Sequence, residues 1–270
     1  MKINQIYNEN CLETMAKMPD NFVDLTVTSP PYDNLRDYKG YTFDFEGIAK
    51  ELYRVTATGG VVVWVVGDAT ENGTESGTSF RQALYFKDIG FNLHDTMIYF
   101  KGSSPYPGNT RYNQTFEYMF VLSKGSPKVF NPIQQQKLTF ASAKKNSGTY
   151  RQRDGSFGKP DENAIKRFEK ADRVETKDAD NVWYILSGYG KGTHDEIAFE
   201  HPATFPEELA SKHIYSWSNE GDLVYDPFMG SGTTAKMAFQ LKRNYIGSEI
   251  SADYVKLAES RINSLTKPLF

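Results

Sequence analysis

The chain has 270 residues, 39% hydrophobic, 14% aromatic and 24% charged, proportions that fit a globular enzyme and exclude a disordered or fibrous chain. Its net charge of −3 argues against nonspecific coating of nucleic acid, yet Lys124 to Lys177 holds 13 Lys/Arg against six Asp/Glu, so this window is +7 and the remainder −10. No stretch approaches the roughly 18 apolar residues of a membrane span, Met1-Lys2-Ile3-Asn4-Gln5 lacks an apolar leader core, and one cysteine (Cys11) with dispersed His94, His194, His201 and His213 excludes a disulfide and makes a metal site unexpected; a cytoplasmic protein is expected.

In chain order, Val23 to Thr28 is β-rich and stopped by Pro30-Pro31, which cannot continue a central strand. A helix over Phe45 to Val55 ends at Gly59-Gly60, and the apolar run Val61 to Val66 reads as a strand buried on both faces. A helix from about Ser79 to Ile89 closes at Gly90 and leads to strands Leu93 to Lys101 and Glu117 to Leu122, expected as an antiparallel edge. From Gly125 to about Phe199 periodicity weakens, with a short helix read at Asn163 to Ala171 and a strand at Asn181 to Leu186. Regularity returns with a helix from Pro206 to about Ser216, the strand Leu223 to Tyr225, a glycine-rich turn and a helix to about Leu241. The strand Asn244 to Glu249 and a helix from Ala252 to about Leu265 follow. This alternation predicts an α/β fold with a doubly wound, mostly parallel Rossmann-like sheet that binds ligands at the carboxyl ends of its strands. One domain is expected, its halves 1–124 and 200–270 separated by a basic, DNA-facing insertion at 125–199.

Two motifs carry chemistry. Asp226-Pro227-Phe228-Met229-Gly230-Ser231-Gly232-Thr233 runs from a strand through a glycine turn into a helix, and Glu249 ends the next strand. Small residues admit a ligand to the backbone, the helix start offers free N–H groups, and a carboxylate can accept ribose hydroxyls, so a nucleoside cofactor fits. With only Gly230 and Gly232 the turn departs from the dinucleotide fingerprint. The second motif is Ser29-Pro30-Pro31-Tyr32, whose prolines fix two successive φ angles and hold an aromatic ring at the mouth of the sheet. An exocyclic base amine is a poor nucleophile because its lone pair is delocalised into the ring. The Ser29 hydroxyl and Pro30 carbonyl can accept its N–H groups while Tyr32 stacks on a base drawn out of the duplex.

Together the motifs resemble the DNA amino-methyltransferases that make N4-methylcytosine or N6-methyladenine. In that family Asp, Asn or Ser precedes Pro-Pro-Tyr/Phe, and the cofactor motif reads Asp-Pro-Phe-x-Gly-Ser-Gly-Thr. The catalytic motif comes first here by about 195 residues, which is the permuted β-group order with a target-recognition insertion between the halves. The resemblance implies S-adenosylmethionine as cofactor, with Asp226, Pro227, Phe228, Gly230, Ser231, Gly232 and Thr233 around its methionine end and Glu249 on its ribose. It also places the helix motif from His201 to Leu209, with His201 and Phe205, beside the methionine, and Asn10-Cys11 near the adenine, where Asn10 replaces the family's Asp. Double-stranded DNA is the implied partner, a homodimer and a cognate restriction endonuclease the implied associates, and a bacterial, archaeal or phage origin follows.

Ser29 favours cytosine, since the family's adenine enzymes usually carry Asp there, and His-Pro-Ala-x-Phe-Pro resembles the cytosine members as well; N6-adenine is the alternative. An RNA or protein methyltransferase would usually place the cofactor motif first, and a non-catalytic DNA-binding protein need not keep Ser29, Tyr32, Asp226 and Glu249. For DNA contacts, the loop Asp33 to Tyr41, with Arg36, is expected over the site, and Lys101 to Tyr106 with Arg111 along the groove for a flipped nucleotide. Lys144, Lys145, Arg151, Arg153, Lys166 and Arg167 of the insertion are expected at phosphates.

Overall fold

A computed structural model of the protein describes residues 1–31, 43–102, 111–136, 150–151, 154–159, 176–186, 192–193, 195, 197–198 and 205–266. The chain divides into two compact units, 1–131 with 181–270, and 132–180.

The first unit opens with β1 (Gln5–Tyr7), α1 (Cys11–Ala16), β2 (Val23–Thr28), α2 (Phe45–Val55) and β3 (Thr56–Val66). A hairpin of β4 (Thr70–Glu71) and β5 (Thr74–Glu75), helix α3 (Thr78–Asp88), β6 (Asn92–Phe100) and β7 (Phe116–Ser123) follow. Among its described residues the second unit holds two small antiparallel ladders, β8 (Gln134–Gln136) with β11 (Thr176–Asp178) and β9 (Tyr150–Arg151) with β10 (Phe157–Gly158); the helix read at Asn163 to Ala171 lies outside the described residues. The first unit resumes with β12 (Val182–Tyr184), α4 (Glu207–Trp217), β13 (Leu223–Asp226), α5 (Thr233–Gln240), β14 (Asn244–Ser248) and α6 (Ala252–Thr266).

Among the described residues eight strands form one sheet in the order β1-β14-β13-β2-β3-β7-β6-β12. Only β7 runs against the rest, so the sheet is the doubly wound, mostly parallel one that the alternation of elements predicts. β6 and β7 do pair antiparallel, but they are not its edge, because β12 adds in parallel beyond β6. β12 is the strand read at Asn181 to Leu186; what its sequence does not show is that it joins this sheet, since only Trp183 of its three residues is buried.

β3 also begins five residues before the apolar run, absorbing Gly59-Gly60, which read as a helix stop. The reason is close packing at a bulge: the β2–β3 register shifts between Val23 and Leu25, and a Cβ on Gly60 would lie 2.9 Å from the Asp24 and Ala57 carbonyl oxygens.

The sheet is covered on both faces. Asp44 caps α2 by accepting the Gly47 N–H, and α2 turns Ile48, Ala49, Leu52 and Val55 inward. They pack with Met15, Phe86, Phe120, Leu122 and the even residues of β3, Val62, Trp64 and Val66; the Trp64 indole donates to Gln82 Oε1 at 2.8 Å. The odd residues Val61, Val63 and Val65 are buried on the opposite face, where α4 brings His213 Nε2 to 3.2 Å from Met119 Sδ. No helix among the described residues is long and apolar enough to cross a membrane.

Candidate active site

β2 and β13 lie side by side in parallel, with Leu25 opposite Val224 and Thr26 opposite Tyr225, so both strands end at the same rim. There the Thr28 hydroxyl donates to Asp226 Oδ1 at 2.6 Å, joining positions 198 residues apart. Thr234, in the first turn of α5, donates to the Val27 carbonyl at 3.2 Å. Ser29 therefore leaves a strand whose end is bonded to the head of the glycine turn. Ser29 and Pro31 are half-buried and Pro30 is buried; Tyr32 and Arg36 lie outside the described residues.

The turn is held from both sides. Asp226 Oδ1 also accepts the Phe228 N–H at 3.0 Å, and Glu249 accepts the Gly230 N–H at 2.8 Å on one oxygen and the Ser251 N–H at 2.8 Å on the other. Each Glu249 oxygen retains a lone pair for a hydroxyl donor. Phe228 is half-buried, its ring edge-on to Phe43 at 5.8 Å and to Trp64 at 6.2 Å. Gly232 caps α5 at φ +82°, and a Cβ there would stand 2.6 Å from Ala258 Cβ and 2.9 Å from Ala258 Cα of α6. Gly232→Ala should therefore cost about 2–4 kcal/mol, from left-handed strain and overpacking together. Gly221→Ala (φ +88°, nothing within 4 Å) should lose only the strain share. Thermal unfolding of the two variants checks this, and equal losses would dismiss the packing argument.

Burial pushes Asp226 up to about 6 despite bonds from Thr28, Phe228 and Thr234, and the neighbouring Glu249 adds to the rise. Burial likewise raises Glu249 against its bonds from Ser251 and Gly230. Among the described residues neither carboxylate has a Lys or Arg within salt-bridge distance. A buried and a half-buried carboxylate on one turn, neither paired with a cation among the described residues, suit a positively charged ligand.

The other expected site residues are placed as follows. Asn10 caps α1, its side chain accepting the Leu12 N–H at 2.9 Å. Cys11 is a core side chain whose thiol burial pushes up to about 12, so it is not a nucleophile at neutral pH. Phe205 is half-buried just before Pro206, and His201 lies outside the described residues. Lys101 is paired with Glu117, and Arg111 donates to Thr70 Oγ1 and the Gly73 carbonyl, pinning the β4–β5 hairpin. Arg151 lies in β9; Lys144, Lys145, Arg153, Lys166 and Arg167 lie outside the described residues.

Sequence reasoning gave no role to Thr28 and Thr234, which join the two motifs, and missed a charged group behind the turn that pairs the half-buried Asp195 and Glu207 with the buried Lys236 and Arg261. A signal was there: Lys236 and Arg261 interrupt the buried faces of α5 and α6, and a cation on such a face implies a buried partner.

The family model described as DNA methylase, covering N6 and N4 enzymes, matches residues 23–260. The orphan methyltransferase M.BamHII of Bacillus amyloliquefaciens is 56% identical over 247 residues, which cover 91% of this chain and 90% of that protein. The type II methyltransferase M.MthZI of Methanothermobacter thermautotrophicus is 28% identical over 305 residues, 98% of this chain and 78% of that protein. Two solved structures share the fold. The PvuII DNA methyltransferase (cytosine-N4-specific) superposes with a TM-score of 0.66 at 21% identity, covering 95% of this chain and 85% of that one. The M1.HpyAVI–SAM complex does so with a TM-score of 0.60 at 22% identity, covering 95% and 98%.

Proposed function

The chain belongs to the N6/N4 DNA methylase family, and from that premise we propose that it methylates the N4 amine of a cytosine flipped out of double-stranded DNA, at a site formed by Ser29 to Tyr32 and the turn Asp226 to Thr233. It is an S-adenosylmethionine-dependent DNA methyltransferase. The cofactor supplies a sulfonium methyl group electrophilic enough for direct displacement by nitrogen. The observation that carries the site assignment is the buried Asp226 and the half-buried Glu249, gathered on one glycine turn and neither of them paired with a Lys or Arg among the described residues, with Asp226 bonded by Thr28 at the end of the strand that leads into Ser29. A ligand bearing positive charge and ribose hydroxyls fits that donor set.

In this reading the chain's own groups position rather than react. The Ser29 hydroxyl oxygen and the Pro30 carbonyl oxygen accept the two amine N–H groups, drawing nitrogen toward tetrahedral geometry and freeing its lone pair for in-line attack. Tyr32 stacks on the base. Ser29, rather than an acidic residue, supports cytosine over adenine. Arg36, Lys101, Arg111 and the cations of 125–199 belong to the proposal as DNA contacts, and so do a homodimer and a cytoplasmic location. A paired restriction endonuclease is supported by the type II relatives, and the orphan status named for M.BamHII counts against it.

Methyl-labelled S-adenosylmethionine and unmodified DNA, followed by digestion to nucleosides, are expected to give label in N4-methylcytosine. Label confined to N6-methyladenine would overturn the choice of base and leave the site standing.

A further inference from the structure

Arg261 is fully buried, 0% exposed, in the middle of α6. Burying a guanidinium is costly unless its donors are filled, and here they are. Nε donates to Asp195 Oδ2 at 3.0 Å and one terminal nitrogen to Glu207 Oε1 at 2.7 Å. The other terminal nitrogen donates to the Ser231 carbonyl at 2.6 Å, with Ser231 Oγ at 3.1 Å and Thr233 Oγ1 at 3.2 Å. Lys236, also buried, reaches the same two carboxylates, Asp195 Oδ2 at 2.6 Å and Glu207 Oε1 at 2.7 Å. Two cations and two anions thus form a neutral block, and burial's tendency to raise Asp195 is outweighed by bonds from Lys236 and Arg261, which hold it below the usual carboxylate range.

The two cations differ in reach. Among the described residues Lys236 bonds the carboxylates alone, whereas Arg261 carries the block's rigidity into the glycine turn through the Ser231 carbonyl and the hydroxyls on either side of Gly232. A carbonyl fixed from behind sets the plane of the Ser231–Gly232 peptide, and with it the direction of the Gly232 N–H, which bonds the Met229 carbonyl at 2.9 Å.

We propose that Arg261 is the positioning residue of the cofactor turn: it holds Ser231 to Thr233 in the shape that receives S-adenosylmethionine, acting from behind without touching the ligand. The inference rests on the cofactor lying on this turn.

Calorimetric titration of S-adenosylmethionine into the full chain tests it. Arg261→Lys keeps the charge and loses the planar fork that spans Asp195, Glu207, Ser231 and Thr233. It is expected to raise the cofactor Kd about 10-fold and the cofactor KM in step, while kcat at saturating cofactor and the KM for DNA stay within about 2-fold. Lys236→Met strips a cation from the same carboxylates and is expected to lower the thermal midpoint while leaving cofactor Kd within about 2-fold. Both are read at a temperature where circular dichroism shows them folded; Arg261→Gln is a second variant with the same expected loss of cofactor affinity. A loss of stability in Arg261→Lys equal to that of Lys236→Met, with cofactor Kd unchanged, overturns the positioning role. Glu249→Gln separates the two readings. If it leaves cofactor Kd unchanged, the turn is not the cofactor site and both readings fall; if it weakens binding while both Arg261 variants do not, only the positioning role falls.

Discussion

Ser29→Ala is expected to lower kcat at least ~100-fold while cofactor affinity changes by less than about 2-fold. The asymmetry follows from where Ser29 stands. Its strand is fixed by the Thr28–Asp226 bond and by Thr234 on the Val27 carbonyl, neither of which uses the Ser29 hydroxyl. Deleting that oxygen therefore leaves the glycine turn intact and removes an acceptor whose bond to the amine strengthens as nitrogen becomes tetrahedral. Single-turnover methylation and calorimetry with the cofactor make the comparison. Turnover preserved in saturating cofactor with binding lost would transfer Ser29 from the chemistry to the cofactor.

Asp226→Asn is expected to weaken S-adenosylmethionine binding by at least ~10-fold at pH 8 and to make the unliganded protein more stable there. Both follow from a buried carboxyl raised from 3.8 to about 6. Because the folded value lies above the unfolded one, the group's contribution to stability is fully present below 3.8 and is lost as the pH rises through 6. The loss amounts to about 3 kcal/mol, since each tenfold change in proton affinity is worth about 1.36 kcal/mol. Asparagine keeps an oxygen for Thr28 and Phe228 and carries no charge, so it escapes that loss. A cationic ligand gains from Asp226 only when the carboxyl is ionised, so wild-type affinity should rise between pH 5 and pH 7, with a proton released on binding. Titrations in buffers of different ionisation heat measure that proton, and the variant should release fewer. A pH-independent wild-type Kd over this range would show that Asp226 does not face the cation.

How much could be read in advance depended on length and period. Val23–Thr28 and Phe45–Val55 emerge with the boundaries read for them because each is long enough to show its repeat, and Pro30-Pro31 stop the first. β1 and α1 have three and six residues, fewer than two full periods of strand or helix, and stay unread. Gly59-Gly60 signals a break in local chemistry, yet β2 draws these residues into β3, a tertiary demand that local preference does not contain. At the site, the motif residues were legible because their types state a chemistry. Thr28, Thr234 and Arg261 were not, since a threonine or arginine acquires its role only from what the fold brings against it.

The pairing of β2 with β13 also fixes when the site can exist during synthesis. β3 reaches β2 within a few dozen residues, but the other edge of β2 waits for Leu223–Asp226. At about 5–20 residues per second a ribosome needs roughly 10–40 s to cover that interval. Throughout it the strand leading into Ser29 has an open edge that can pair with another chain. The catalytic motif is thus translated early and assembled late, and the nascent chain must keep its central strand from strangers until the cofactor half emerges.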